Sequence, residues 1–182
     1  MSGRVLLVRH TEVAQKWAHR CYGRSDVGLA REGQRQAREL ALSLAREPVT
    51  AIVHSGLQRA AFLARRLAQL SRIEATVDSR WQERDFAAWE GRTWNAIWRE
   101  TRNEMDGMLS DPDHYRPGGG ETTAALAERS VAAWNALSFD GVVVVITHGG
   151  PIAAVRAMLA NAPMSEMATF TISKGAFVVL SR

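Results

Sequence analysis

Two apolar runs in this chain end on histidine. Val5-Leu6-Leu7-Val8 stops at Arg9 and His10, and Val142 to Thr147 stops at His148, followed by Gly149, Gly150 and Pro151. Imidazole titrates near neutral pH, so it can act as a nucleophile or move a proton. A guanidinium placed where a buried strand ends needs an anion or a carboxylate, because an unpaired buried charge is strongly destabilising. Proline suits the first turn of a helix, and glycines let a ligand approach backbone N–H groups. A helix start behind a strand is therefore an anion site. Arg59 stands just after the strand-like TAIVHS (50–55). Helical side chains lean toward the N-terminus, which carries its guanidinium back over that strand end. The loop from Trp81 to Phe86 adds two carboxylates, Glu83 and Asp85. Together these residue types point to one phosphate-handling site shared by His10 and His148.

The elements that must position them follow from patterning. RVLLV (4–8) and VVVVIT (142–147) read as buried strands, the second β-branched and apolar almost throughout. TAIVHS is another, and IEATV (73–77) a fourth. Helices are expected over Arg31–Arg46, with Ala37, Leu40, Ala41 and Leu44 at helical spacing, and over 57–70, with Leu63, Leu67 and Leu70 on one face. Further helices are expected over Thr93–Arg102, over Glu121–Leu137 with Ala127, Val131 and Trp134 on one stripe, and from Pro151 to Leu159. DPDHYRPGGG (111–120) reads as a loop, and MATFTI (167–172) and AFVVL (176–180) as terminal strands. Strands alternating with helices imply an α/β fold, a three-layer sandwich with a largely parallel central sheet and helices on both faces. Ligands of such sheets sit beyond the carboxyl ends of the strands, where both histidines fall.

Composition sets the outer bounds. At 182 residues and 46% hydrophobic the chain is expected to form one domain, 1–182, with an ample core. No stretch approaches the ~20 apolar residues of a membrane span, and no signal-peptide pattern opens the chain. Cys21 is the only cysteine, which fits a reducing, cytoplasmic setting. The formal net charge of +4 favours an anionic substrate. Only Lys16 and Lys174 are lysines, so arginine dominates the basic residues, and no long basic run suggests a nucleic-acid tail. The histidines and the cysteine show no HxxxH or CxxC spacing, so no metal and no cofactor is expected. His19, His54 and His114 are expected in loops or at the surface.

Four motifs occur in the order seen in the histidine phosphatases, the phosphoglycerate mutase-like superfamily, which the chain resembles over nearly its whole length: Arg9-His10-Thr11, Ser55 to Ala60, Glu83 to Phe86, and Thr147 to Gly150. Cys21 to Asp26, Phe86 to Gly91 and Pro117 to Thr122 look like the alpha-ribazole phosphatase branch. The resemblance implies that His10 is a nucleophile that becomes phosphohistidine. It implies that Arg9, Arg59 and His148 bind the phosphoryl oxygens, that Glu83 is the proton donor, and that Tyr22, Gly23 and Gly149 meet the substrate. Thr11 replaces the family's usual glycine, Lys16 stands where many relatives carry asparagine, and Ala87 where glycine is common.

The residue types suit that reaction. A neutral imidazole can attack phosphorus in line, and two guanidiniums with His148 can hold the oxygens in place of a metal ion. Glu83 would protonate the leaving oxygen and then activate the water that cleaves phosphohistidine. Trp81, Trp89, Trp94 and Trp98 flank Glu83 and suit a small cap, Trp94 and Trp98 sharing a helix face; at least one of them is expected to line the leaving-group pocket and suit a flat aromatic ester. The expected partner is a small-molecule phosphate ester, alpha-ribazole phosphate first. The alternatives are a broad-specificity sugar or nucleotide phosphatase, a mutase-like enzyme and, outside the enzymes, a basic binding module. Nucleic acid and membrane are not expected partners, and oligomeric state is open.

Overall fold

In β1 (Arg4–Arg9) the side chains alternate between two cores, as a period of two requires. Leu6 and Val8 join Ala37, Ala41, Leu44, Leu63 and Leu67 on one face, while Val5 and Leu7 join Trp81, Ala133, Trp134, Ile152 and Val155 on the other. A strand buried on both faces must lie inside a covered sheet. The computed structural model describes residues 3–138 and 140–181. In chain order its main elements are β1, α1 (Arg31–Leu44), β2 (Val49–His54), α2 (Gln58–Ser71), β3 (Ala75–Val77), α3 (Trp94–Thr101) and α4 (Gly107–Ser110). These are followed by α5 (Thr123–Asn135), β4 (Val142–Thr147), α6 (Gly149–Leu159) and β5 (Phe177–Ser181). The sheet runs β3-β2-β4-β1-β5, parallel except for β5, which is antiparallel to β1. Helices α1 and α2 cover one face, α5 and α6 the other, so the three-layer α/β sandwich expected from the sequence is the fold.

Register places the site. In the parallel pair of β1 and β4, Arg9 lies opposite Thr147, and the His10 N–H donates to the Thr147 carbonyl at 3.0 Å. The residues that leave the sheet next, His10 and His148, therefore emerge side by side. β2 flanks β4, its His54 opposite Ile146, and delivers Ser55 to the same edge.

Several elements differ from the sequence reading. MATFTI is not a strand: Met164–Phe170 forms consecutive 3-10 turns. Met167 and Phe170, three apart, both pack toward α5 and α6, a spacing that a three-residue turn satisfies and a strand does not. Arg156 of α6 donates to the Phe170 carbonyl and secures that geometry. Only the last three residues of IEATV pair. Leu70 is exposed, and the buried stripe of α5 is Leu126, Ser130, Ala133 and Trp134 rather than Ala127 and Val131. AFVVL does form the edge strand, within one residue of the expected bounds.

Candidate active site

His10 is 1% exposed, and its Nδ1 lies 2.8 Å from the Thr11 carbonyl. A carbonyl only accepts, so Nδ1 carries the proton and Nε2 keeps its lone pair. Burial, then the Arg59 charge, holds the imidazole well below its ordinary pKa, so it is neutral at physiological pH. His148 is fully buried, 5.2 Å from His10 between ring centroids. Arg59 Nε donates to its Nδ1 at 3.2 Å, which fixes the opposite tautomer: Nε2–H donates to Ser55 Oγ at 2.8 Å. Burial, then Arg59, lowers the His148 pKa as well. In the sequence Ser55 stands out only as part of a motif. Its role depends on β2 lying beside β4, which no local pattern encodes.

Arg59, at the start of α2, is wholly buried with one nitrogen on His148 and the other two on the carbonyls of Ser25 (2.7 Å) and Gly23 (2.5 Å). Its guanidinium also lies 5.0 Å from the Tyr22 ring centroid, and that ring meets His10 edge-on at 6.4 Å. The loop bearing Tyr22 and Gly23 is gathered by Glu90, which accepts from the N–H groups of Arg24, Ser25 and Phe86 and from the Ser25 hydroxyl. Gly23 has φ of +31°, and a side chain there would strike Glu90 and the Arg84 carbonyl. Glu90, too, is visible only in three dimensions. Arg9 is half-buried; Nη1 donates to the Ile172 carbonyl at 2.6 Å, and Nε is buried without a partner among the described residues. Gly149 lets that guanidinium pass, since a Cβ there would lie 3.2 Å from Arg9 Cζ.

Glu83 approaches from the opposite side. Its Oε1 accepts from the Arg84 N–H at 3.0 Å and from the Gly150 N–H, at the first turn of α6, at 3.1 Å. The carboxylate thus rests on a helix N-terminus. Its backbone is pinned by Arg129 of α5, which bonds the carbonyls of Arg80, Gln82 and Glu83 and forks onto both oxygens of Glu121.

A cavity of about 520 Å³ adjoins this cluster; His10, Arg59 and His148 are not among its lining residues, while Arg9 and Glu83 are. Arg9, Tyr22, Gly23, Glu83, Gly149 and Gly150 line it, and Phe86, Trp94, Met105, Met108 and Leu126 supply apolar wall. Of the four tryptophans, Trp94 lines the cavity; Trp81 and Trp89 are core residues and Trp98 is exposed. Thr11, the departure from glycine, donates its hydroxyl to the Gly33 carbonyl at 2.7 Å and ties the site to α1. Lys16 sits exposed beside Trp17, away from the cavity lining. His54 corrects the sequence reading: it ends β2, is buried, and accepts from the Gly56 N–H. His19 and His114 are exposed as expected.

The histidine phosphatase superfamily (branch 1) model matches residues 5–182. The glucosyl-3-phosphoglycerate phosphatase of Mycolicibacterium vanbaalenii is 29% identical over 173 residues, covering 90% of this chain and 76% of that one. Phosphoserine phosphatase 1 of Hydrogenobacter thermophilus is 25% identical, covering 97% and 85%. The alpha-ribazole phosphatase structure from Shigella flexneri superposes with a TM-score of 0.83 over 97% of this chain and 89% of that one; at 23% identity it speaks for the fold alone. By its matched length, its fold and these relatives, the chain belongs to branch 1 of the histidine phosphatase superfamily and is a phosphoric monoester hydrolase.

Proposed function

We propose that the chain, acting as one domain over 1–182, hydrolyses a small phosphate monoester through a phosphohistidine on His10. The observation that carries this is the state of His10: neutral, its Nδ1–H committed to Thr11, its Nε2 lone pair free beside Arg59 and His148. Nε2 attacks phosphorus in line and the P–O bond to the leaving group breaks. Protonated Glu83 gives its proton to the departing oxygen. Arg9, Arg59 and His148 neutralise the charge on the remaining oxygens. The Glu83 carboxylate then takes a proton from water, whose oxygen displaces His10 from phosphorus and releases inorganic phosphate.

Two substrate readings have support. The Phe86 and Trp94 wall suits the flat base of alpha-ribazole phosphate, the ester favoured from the sequence. The curated relatives are named for phosphoesters that carry a carboxylate, glucosyl-3-phosphoglycerate and phosphoserine. A broad-specificity sugar or nucleotide phosphatase is the further alternative.

The test is hydrolysis of phenyl phosphate by wild type and His10→Ala in the presence of chelator, with acid-labile phosphoprotein trapped at short times. Turnover that survives chelator, drops at least a thousandfold in the variant, and traps phosphate on wild type alone is the expected outcome. Turnover indifferent to His10, or no turnover at all, would overturn the reading; without turnover a basic binding module would take its place.

A further inference from the structure

Among the guanidiniums around the cavity, that of Arg84 stands apart. Arg59 spends three nitrogens on protein acceptors and Arg129 forks onto Glu121 while bonding three carbonyls. Arg84 is 6% exposed and lines the cavity, yet its side chain forms no hydrogen bond or ion pair with a described residue, and Nη1 is buried without a partner. Glu83 and Glu121 act on it through space without coming within ion-pair distance. Its one close neighbour of defined geometry is the Phe86 ring, 5.9 Å from Cζ. Asp106, an exposed acid on the same cavity, makes no ion pair with it.

We infer that Arg84 is a specificity-determining residue that receives a carboxylate carried by the leaving group. The inference rests on the phosphatase reading above and decides between its substrate classes. Three features favour a carboxylate. Arg84 follows Glu83 directly, and both line the cavity, so a group near the ester oxygen that Glu83 protonates lies on the Arg84 side. The planar fork of a guanidinium matches a carboxylate in bidentate fashion. Glu121 is already forked by Arg129, so the single charge of Arg84 is left to match the one charge of a carboxylate, not the two of a second phosphate group. Burial also lowers the Arg84 pKa, the response of a charge that has lost water without gaining a partner. A neutral aromatic leaving group would leave it in that condition, whereas a carboxylate would relieve it.

The experiment compares esters that differ at the carboxylate: O-phosphoserine against O-phosphoethanolamine, where hydrogen replaces it, and 3-phosphoglycerate against glycerol 3-phosphate, where a neutral hydroxymethyl replaces it. Wild type should show kcat/KM roughly ten- to a hundredfold higher for the acid of each pair, the scale of a charge-assisted bond to a buried group. Arg84→Met should bring the ratio close to one, and Arg84→Lys should restore part of it. Equal kcat/KM within both pairs in wild type, or a ratio that survives Arg84→Met, overturns the inference. The wild-type ratio stands even if the methionine variant fails to fold. Phenyl phosphate hydrolysis with phosphate trapped on His10 alongside equal ratios would sink this inference and leave the phosphatase reading standing. No turnover of any ester by wild type would remove both.

Discussion

Gly150 faces Glu83, the proposed acid. Its N–H holds Glu83, and a methyl at its Cα would run into Glu83 Oε1, a contact that no real Cβ makes. Because Oε1 is the free end of a flexible side chain, Gly150→Ala should fold normally and displace the acid instead. The loss should then depend on the leaving group. For an alkyl ester, whose alkoxide needs a proton, kcat/KM should fall about a hundredfold, within the range of general acid catalysis. For nitrophenyl phosphate, whose leaving group departs unprotonated, it should fall far less. A uniform loss across leaving groups would mean that Glu83 is not the acid. At this scale the sequence was informative where chemistry is carried by adjacent residues: Arg9 with His10, His148 with its glycines, Glu83 in its loop. It carried Ser55, Glu90 and Arg84 within motifs but gave none of them a role of its own. Their meaning lies in partners tens of residues distant or, for Arg84, in the lack of one.

At the scale of elements, α5 determines where the acid stands. Arg129 is 16% and Glu121 11% exposed, and the pair closes with N–O distances of 2.6 and 2.8 Å while Arg129 also bonds three carbonyls of the Arg80–Glu83 segment. Arg129→Met should therefore cost about 3 kcal/mol in denaturant unfolding, the penalty of leaving a largely buried partner charge and its acceptors unsatisfied. Glu121→Gln, which keeps an acceptor oxygen, should cost less than half as much. Equal, small effects would show the cluster to be solvated rather than structural. The sequence placed the helix but not this use of it, since periodicity reports which residues face an apolar core and says nothing of which arginine bonds a neighbouring backbone. The same limit explains MATFTI. Its β-prone composition is real, but burial of Met167 in one cluster with Leu126 and Ala153 and the Arg156 bond to Phe170 override local preference.

Across the whole molecule, folding places His10, His148 and His54 where protonation is disfavoured, in each case chiefly by burial, aided by Arg59 for the first two and Arg65 for the third. Folded pKa values below the ordinary 6.5 mean that, once pH drops beneath that value, the unfolded chain binds protons that the native chain refuses. Stability is therefore full above pH 6.5 and declines as pH falls. The slope approaches about 1.4 kcal/mol per pH unit for each histidine involved. Carboxylates with lowered pKa, Asp78 and Glu121 among them, lose their stabilisation only below about pH 4.5, so the window from pH 6.5 to 5 isolates the histidines. His114, raised by Asp111, works in the opposite sense, but it is exposed and its contribution is small. Denaturant unfolding at pH 7.5, 6.5, 5.5 and 5.0 should give a flat segment followed by a steepening loss. A free energy constant across that range would mean that the two site histidines accept protons as readily folded as unfolded. The neutral nucleophile on which the phosphohistidine route depends would then be absent below pH 6.5. The imidazole proposed to attack phosphorus is thus a measurable source of acid sensitivity, and one titration of stability tests both.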